Sequence, residues 1–121
     1  MPSPKRKIGD VGEDIVSKYL ERKGFSILER NYWKPWGEID IVAKSGSVIR
    51  FVEVKAISRG TVRPEENMHP AKLKRLHRAV QTYLLDHNVP EDTRWQIDLA
   101  CVHMDFATRK ARVELFENII R

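Results

Sequence analysis

Three charged residues interrupt a stretch that otherwise alternates apolar side chains. Asp40 lies within Glu38-Ile39-Asp40-Ile41-Val42-Ala43-Lys44, and Glu53 and Lys55 lie within Val48-Ile49-Arg50-Phe51-Val52-Glu53-Val54-Lys55. Apolar strands rarely carry charges without a partner or a task. Two carboxylates converging across a strand pair offer hard oxygen donors suited to magnesium or manganese. Such a cation lowers the pKa of a bound water and stabilises the charge that builds on a phosphodiester in its transition state. A neighbouring lysine orients the attacking water or neutralises the same charge. The competing reading is a structural ion pair on a half-exposed sheet face, and the apolar neighbours argue against it.

Whether these charges meet depends on register. Residues Glu38 to Lys44 and Ser47 to Lys55 read as two strands of a hairpin. With Ser45-Gly46 as a two-residue turn, Lys44 pairs with Ser47, Asp40 faces Phe51 and Glu38 faces Glu53. Asp40, Glu53 and Lys55 then share one face. A three-residue loop would set Asp40 opposite Val52 and send Glu53 to the other side, so the site requires an even-length turn. Glu38 is then either an extra acid or a residue of the solvent rim. Both faces of the pair are largely apolar, which predicts central strands covered on each side by a helix.

The flanking sequence supplies those helices. Residues 1–8 read as a flexible basic arm and 9–121 as one domain. Asp10 and Glu13 fit a capping box, followed by the stripe Ile15, Val16, Tyr19 and Leu20 and a stop at Gly24, so the first helix is expected from about residue 10 to 23. Phe25 to Asn31 suits a strand, and Tyr32 to Gly37 a loop in which Trp33 and Trp36 flank Lys34. Those tryptophans either stack on bases or cap the core. Ala56 to His69 turns polar and aperiodic, as a functional or mobile loop does.

From Pro70, the residues Leu73, Leu76, Val80, Tyr83 and Leu84 mark a second amphipathic helix that Asn88 and Pro90 end. Its outer face carries Lys72, Lys74, Arg75 and Arg78, which either track a phosphate backbone or are simply solvated. Trp95 to Val102 and Ala111 to Glu117 read as the last strands, giving the order α-β-β-β-α-β-β. Gln96 and Asp98 either point to the face of Lys55 or satisfy local hydrogen bonds.

Composition narrows the functional classes. The chain has 121 residues, 41% apolar and 32% charged, which suits one soluble globular domain. It contains no run of roughly 20 apolar residues to cross a bilayer and no secretory signal pattern, so a cytoplasmic location without membrane partners is expected. The one cysteine, Cys101, excludes an internal disulfide and reads as a buried structural thiol, and the four histidines show no zinc-site spacing. A net charge of +5 favours a polyanionic partner, nucleic acid above all.

Asp40 followed across the hairpin by Glu53-Val54-Lys55 resembles the D…E-x-K core of the PD-(D/E)xK nuclease superfamily. More closely, Gly12-Glu13, Leu28-Glu29-Arg30-Asn31, Gly37-Glu38-Ile39-Asp40 and Phe51-Val52-Glu53-Val54-Lys55 are similar to the YraN-like family of predicted endonucleases, itself similar to archaeal Holliday-junction resolvases. The similarity runs from Gly9 to about Val102. It implies a restriction-endonuclease-like α/β fold, with a central mixed sheet flanked by helices. It also implies that Asp40 and Glu53 bind Mg2+ or Mn2+ with the Val54 carbonyl completing the coordination, that Lys55 assists the water, and that Glu13 joins from the first helix. The capping box explains Glu13 equally well. One departure is Ala56-Ile57-Ser58-Arg59, which delays by two positions an arginine that would grip a phosphate.

The expected activity is metal-dependent nuclease hydrolysis of DNA phosphodiester bonds, with branched or distorted DNA as the substrate that the resemblance suggests. The backbone would be held by Lys34, Arg59, Lys72, Lys74, Arg75 and Arg78. Cutting both strands of a junction takes two sites, which a homodimer would supply. The alternative is a non-catalytic nucleic-acid-binding or protein-interaction module that keeps the nuclease fold.

Overall fold

The computed structural model describes residues 4–57 and 69–119, with side chains from Gly9 onward. Its elements are α1 (Pro4–Arg22), β1 (Ser26–Lys34), β2 (Gly37–Ser45), β3 (Val48–Ile57), α2 (Pro70–Asp86), β4 (Trp95–Asp105) and β5 (Lys110–Phe116). The strands form one sheet in chain order, antiparallel throughout except where β3 and β4 run parallel. A parallel neighbour demands a long crossover, and the connection that contains α2 provides it. The result is a mixed α/β sheet flanked by helices in the order that the sequence pattern predicts.

Each helix covers one face. Leu76, Ala79, Val80 and Tyr83 of α2 pack with Tyr32, Ile39, Val42, Ile49, Phe51 and Ile97. On the other face, Val16 and Leu20 of α1 pack with Ile41, Ala43, Val52, Ala100, Val102 and Met104. Burial of each Val, Leu, Ile, Phe or Met side chain among these contributes about 1.5–3 kcal/mol. The two-sided cover explains why β2 and β3 are apolar on both faces, and Cys101 is buried as expected. Asp98, also fully buried, is satisfied locally. Its carboxylate accepts from Arg50 at 2.8 Å, from the Gln96 side-chain amide at 2.8 Å and from the Asn118 backbone amide at 2.8 Å.

Several boundaries differ from the sequence expectation. α1 begins at Pro4, so Lys5, Arg6 and Lys7 lie within its span and Asp10 sits inside the helix, where it cannot act as N-cap. The pairing of Asp10 with Glu13 imitates a capping box, but the preceding residues are already helical. The C-terminus follows expectation: Gly24 adopts φ +91°, and the Phe25 amide reaches back to the Leu20 carbonyl at 2.9 Å. β1 runs three residues past Asn31 to Lys34, which pairs with Gly37, so the expected loop shrinks to Pro35-Trp36. Tyr32, expected in that loop, is buried in the core.

The β2–β3 turn is two residues long, but it is Gly46-Ser47, closed by the pair Ser45–Val48, and not Ser45-Gly46. Gly46 takes φ +61°, the conformation this hairpin type requires. The even length keeps the expected facing of the two strands. The slip brings Val42 opposite Phe51 and Ile41 opposite Val52, so that Asp40 comes level with Glu53.

Candidate functional site

The site lies where the ladder fails. β1 and β2 pair at Arg30–Ile41 and again at Tyr32–Ile39, but Asn31 and Asp40 between them do not pair. Asn31 adopts φ +54°, a left-handed conformation that asparagine tolerates. Alternation breaks at the same point, because Ile39 joins Val42 in the α2-side cluster while Ile41 packs towards α1. On its other flank, β2 stops pairing with β3 after Ile41–Val52, and the Val54 amide instead donates to Asp40 Oδ2 at 2.8 Å. A strand residue directs its N–H and C=O to the same side, so the Val54 carbonyl faces the same gap.

α1 brings a second carboxylate to this gap. α1 packs against β3 at Gly12, where a Cβ would sit in ordinary contact with Val54 Cγ1 at 3.6 Å, Ala56 Cβ at 3.6 Å and Met104 Cε at 3.5 Å. Glu13 is thereby held 7% exposed, and its Oε1 has no hydrogen-bond partner among the described residues. Burial pushes its pKa up to about 7, against the pull of the Arg30 guanidinium, and Asp10, Glu38 and Asp14 add to the rise. A cleft of about 640 Å³ contains Glu13, Glu38, Asp40 and Val54, with Asn31 and Trp33 at its edge.

Asp40 and Glu38 also line a second cleft of about 380 Å³ on the α2 side, together with Glu53, Lys72 and Arg75. Burial raises the pKa of Asp40, and the charges of Glu53 and Glu13 and a hydrogen bond with Glu38 raise it further. The Val54 amide works in the opposite direction. Glu53 is answered by Lys72 Nζ at 3.0 Å. Asp40 is thus the shared wall between two clefts, with carboxylates on both sides of it.

The structure therefore gathers Asp40, Glu53, Val54 and Glu13. Lys55 is exposed two residues beyond Glu53 on the same face of β3, roughly 6–7 Å along the strand. Its ammonium pulls down the pKa of Cys101, which burial and Glu114 nevertheless raise to about 11. Lys72, expected to face a phosphate backbone, instead reaches inward to Glu53. Lys74, Arg75 and Arg78 line a groove beside Trp36. Lys34 does not join them: it pairs with Asp86 at 3.1 Å, at the C-terminal end of α2. Arg59 lies outside the described residues, as does most of the Ala56–His69 segment.

The donor set fits a hard divalent cation. It is all oxygen, it carries more negative charge than Lys72 balances, and it includes a buried carboxylate oxygen with no partner among the described residues. Among the described residues, no three His, Cys, Asp or Glu side chains already stand at metal-holding spacing. Glu53 would have to exchange Lys72 for the cation.

Fold and cleft define a helix-flanked mixed-sheet protein with an acidic centre at the break in its sheet. The family model of "Uncharacterised protein family UPF0102" matches residues 12–104, a span that holds every residue of the centre. The chain belongs to this family. It is 39% identical to a UPF0102 protein of Chloroflexus aurantiacus over 99% of this chain and 95% of the relative. It is 36% identical to one of Campylobacter lari over 92% and 91%, and 36% identical to one of Campylobacter jejuni subsp. jejuni over 80% and 84%. No helix among the described residues is long and apolar enough to cross a membrane.

Proposed function

We propose that this protein is a divalent-metal-dependent nuclease that hydrolyses DNA phosphodiester bonds, with Asp40 and Glu53 as the metal-holding carboxylates. The observation that carries this reading is the half-buried Asp40 carboxylate, set beside Glu53 and Glu13 and oriented by the Val54 backbone amide. A structural ion pair would place a cation against Asp40, yet the nearby ammonium of Lys72 goes to Glu53. A bound Mg2+ or Mn2+ would supply Lewis acidity to the phosphoryl oxygen and acidify a water.

The chain's own residues do the rest. The Val54 amide fixes the orientation of Asp40, and the Val54 carbonyl faces the same gap. Glu13, whose pKa of about 7 lets it gain or lose a proton near neutrality, is suited to take the proton from an attacking water. Lys55 stands beside Glu53, where it offsets charge on the scissile phosphate. Arg75 at the cleft wall receives the adjoining backbone.

The test is incubation of the pure protein with linear duplex, single-stranded and four-way DNA in Mg2+ or Mn2+. Cleavage that disappears in Glu53→Ala and Lys55→Ala is expected. Absence of cleavage, or cleavage undiminished in both variants, overturns the proposal. One observation favours a second reading, a nucleic-acid-binding module without turnover: Glu53 is paired with Lys72 at 3.0 Å, which offsets the charge of one of the two proposed metal-holding carboxylates. That reading predicts salt-sensitive DNA binding that needs no divalent ion and survives Asp40→Asn.

A further inference from the structure

Beside the acidic cleft, a groove of about 420 Å³ lies between the β1–β2 turn and α2, lined by Trp36, Ala71, Lys74, Arg75 and Arg78. Its volume falls at the low end of small-ligand sites, about 300–1,000 Å³. Trp36 is held rigidly. Its Nε1–H donates to Thr82 Oγ1 at 3.2 Å, and the Arg78 guanidinium lies 4.6 Å from the ring centroid. The Thr82 hydroxyl donates in turn to the Arg78 carbonyl at 2.9 Å, so one turn of α2 supplies both partners of the indole. The adjoining Gly37 presses so closely on α2 that a Cβ would overlap the Arg75 carbonyl. The turn and the helix thus form one preassembled wall.

Two features identify a ligand class. The lining combines an aromatic ring and a stacked guanidinium, on which any nucleobase can lie, with Lys74 and Arg75, which suit flanking phosphates. Among the described residues its lining carries three cations and no carboxylate. Arg75 also lines the cleft that contains Asp40 and Glu53, so a strand engaged at the carboxylates leads directly into the groove. Duplex DNA keeps its base faces stacked and cannot offer one to Trp36.

We infer that the Trp36–Arg78 groove is a subsite for an unpaired nucleotide of the DNA strand engaged at Asp40 and Glu53. The choice of DNA rests on the nuclease reading above. A base taken up there selects substrates whose strand is unpaired next to the scissile phosphate, and the acidic centre itself has no means of making that selection.

The experiment uses the full chain in EDTA and fluorescence titration with three probes: oligo(dT) of about a dozen nucleotides, an abasic oligomer of the same length, and a duplex. Oligo(dT) is expected to bind about 5- to 100-fold more tightly than the abasic strand. Trp36→Leu should remove that advantage while leaving the abasic strand's affinity unchanged. Because Trp36 also packs against α2, Arg75→Gln serves as a second variant. It should weaken both single strands alike and lower the salt slope by about 1. Equal binding of oligo(dT) and abasic strand by the unaltered protein, or tighter binding of the duplex, overturns the inference. Base-dependent binding without cleavage in Mn2+ would sink the nuclease reading alone, and cleavage indifferent to unpaired bases would sink the groove alone.

Discussion

Replacing Glu13 with glutamine removes a charge from a position that is 7% exposed and whose Oε1 has no partner among the described residues. Burial moves this carboxyl from 4.5 to about 7, a gap of about 2.5 pH units. At about 1.4 kcal/mol for each unit, ionising Glu13 in the folded protein costs at most about 3.5 kcal/mol. The cleft opens onto the group and Arg30 lies near, so solvent and counter-charge screen part of this and about 1–2 kcal/mol is the expected net effect.

The direction follows from linkage. An acid whose pKa rises on folding leaves stability intact below its unfolded value, drains it as pH climbs from 4.5 to about 7, and leaves it lost above. Glu13→Gln lacks that loss. Urea denaturation in EDTA should therefore find variant and parent equally stable near pH 4.5 and the variant more stable at pH 8. Excess Mn2+ should narrow the gap by stabilising the parent. A difference that is the same at both pH values, or that favours the parent at pH 8, refutes the electrostatic account of the centre.

Other substitutions test the parts around it. Asp40→Asn should abolish the rise in Tm that Mn2+ produces in the parent, as read by differential scanning fluorimetry. Lys72→Met should tighten Mn2+ binding in calorimetry about two- to five-fold, because the cation no longer has to displace an ammonium worth about 0.5–1 kcal/mol from Glu53. Gly37→Ala should cost about 1–3 kcal/mol in a denaturant titration, since its Cβ would meet the Arg75 carbonyl, which is backbone and cannot swing aside. Arg50→Met should cost about 3 kcal/mol in the same assay by leaving the fully buried Asp98 without its cation.

What the sequence discloses of this molecule is what repeats with a short period. Alternation in β2, β3 and β4 and the 3.6-residue stripes of both helices give the element order and the two-sided cover, because burial enforces those periods residue by residue. The even β2–β3 turn is legible for the same reason, although Gly46-Ser47 replaces Ser45-Gly46: a one-step slip would have turned Glu53 into the wrong face, whereas the observed slip of two keeps parity. Glu13 misleads because a capping box is a local pattern that says nothing about what precedes it. Its true position follows from the packing of α1 against β3 beside Gly12, a tertiary contact that the local pattern does not encode. Lys72 misleads because a lysine on a helix face reads as solvated unless its tertiary partner is known.

The deepest element of the site was not periodic at all. Asp40 is exceptional because the ladder is broken on both of its flanks, by Asn31 in a left-handed conformation on β1 and by the lost pairing with β3. An unbroken β2 would have spent the Val54 amide on a backbone carbonyl and turned Asp40 wholly towards α2. The break instead leaves a carboxylate between two clefts, one walled by α1 with Glu13 and the other by α2 with Glu53 and Lys72. Acids from three separate elements then converge without any of those elements having to bend. The irregularity in the sheet is thus the structural device that makes the acidic centre, and mending it should dismantle the centre and turn Ile39 away from the α2-side layer to the face of Ile41.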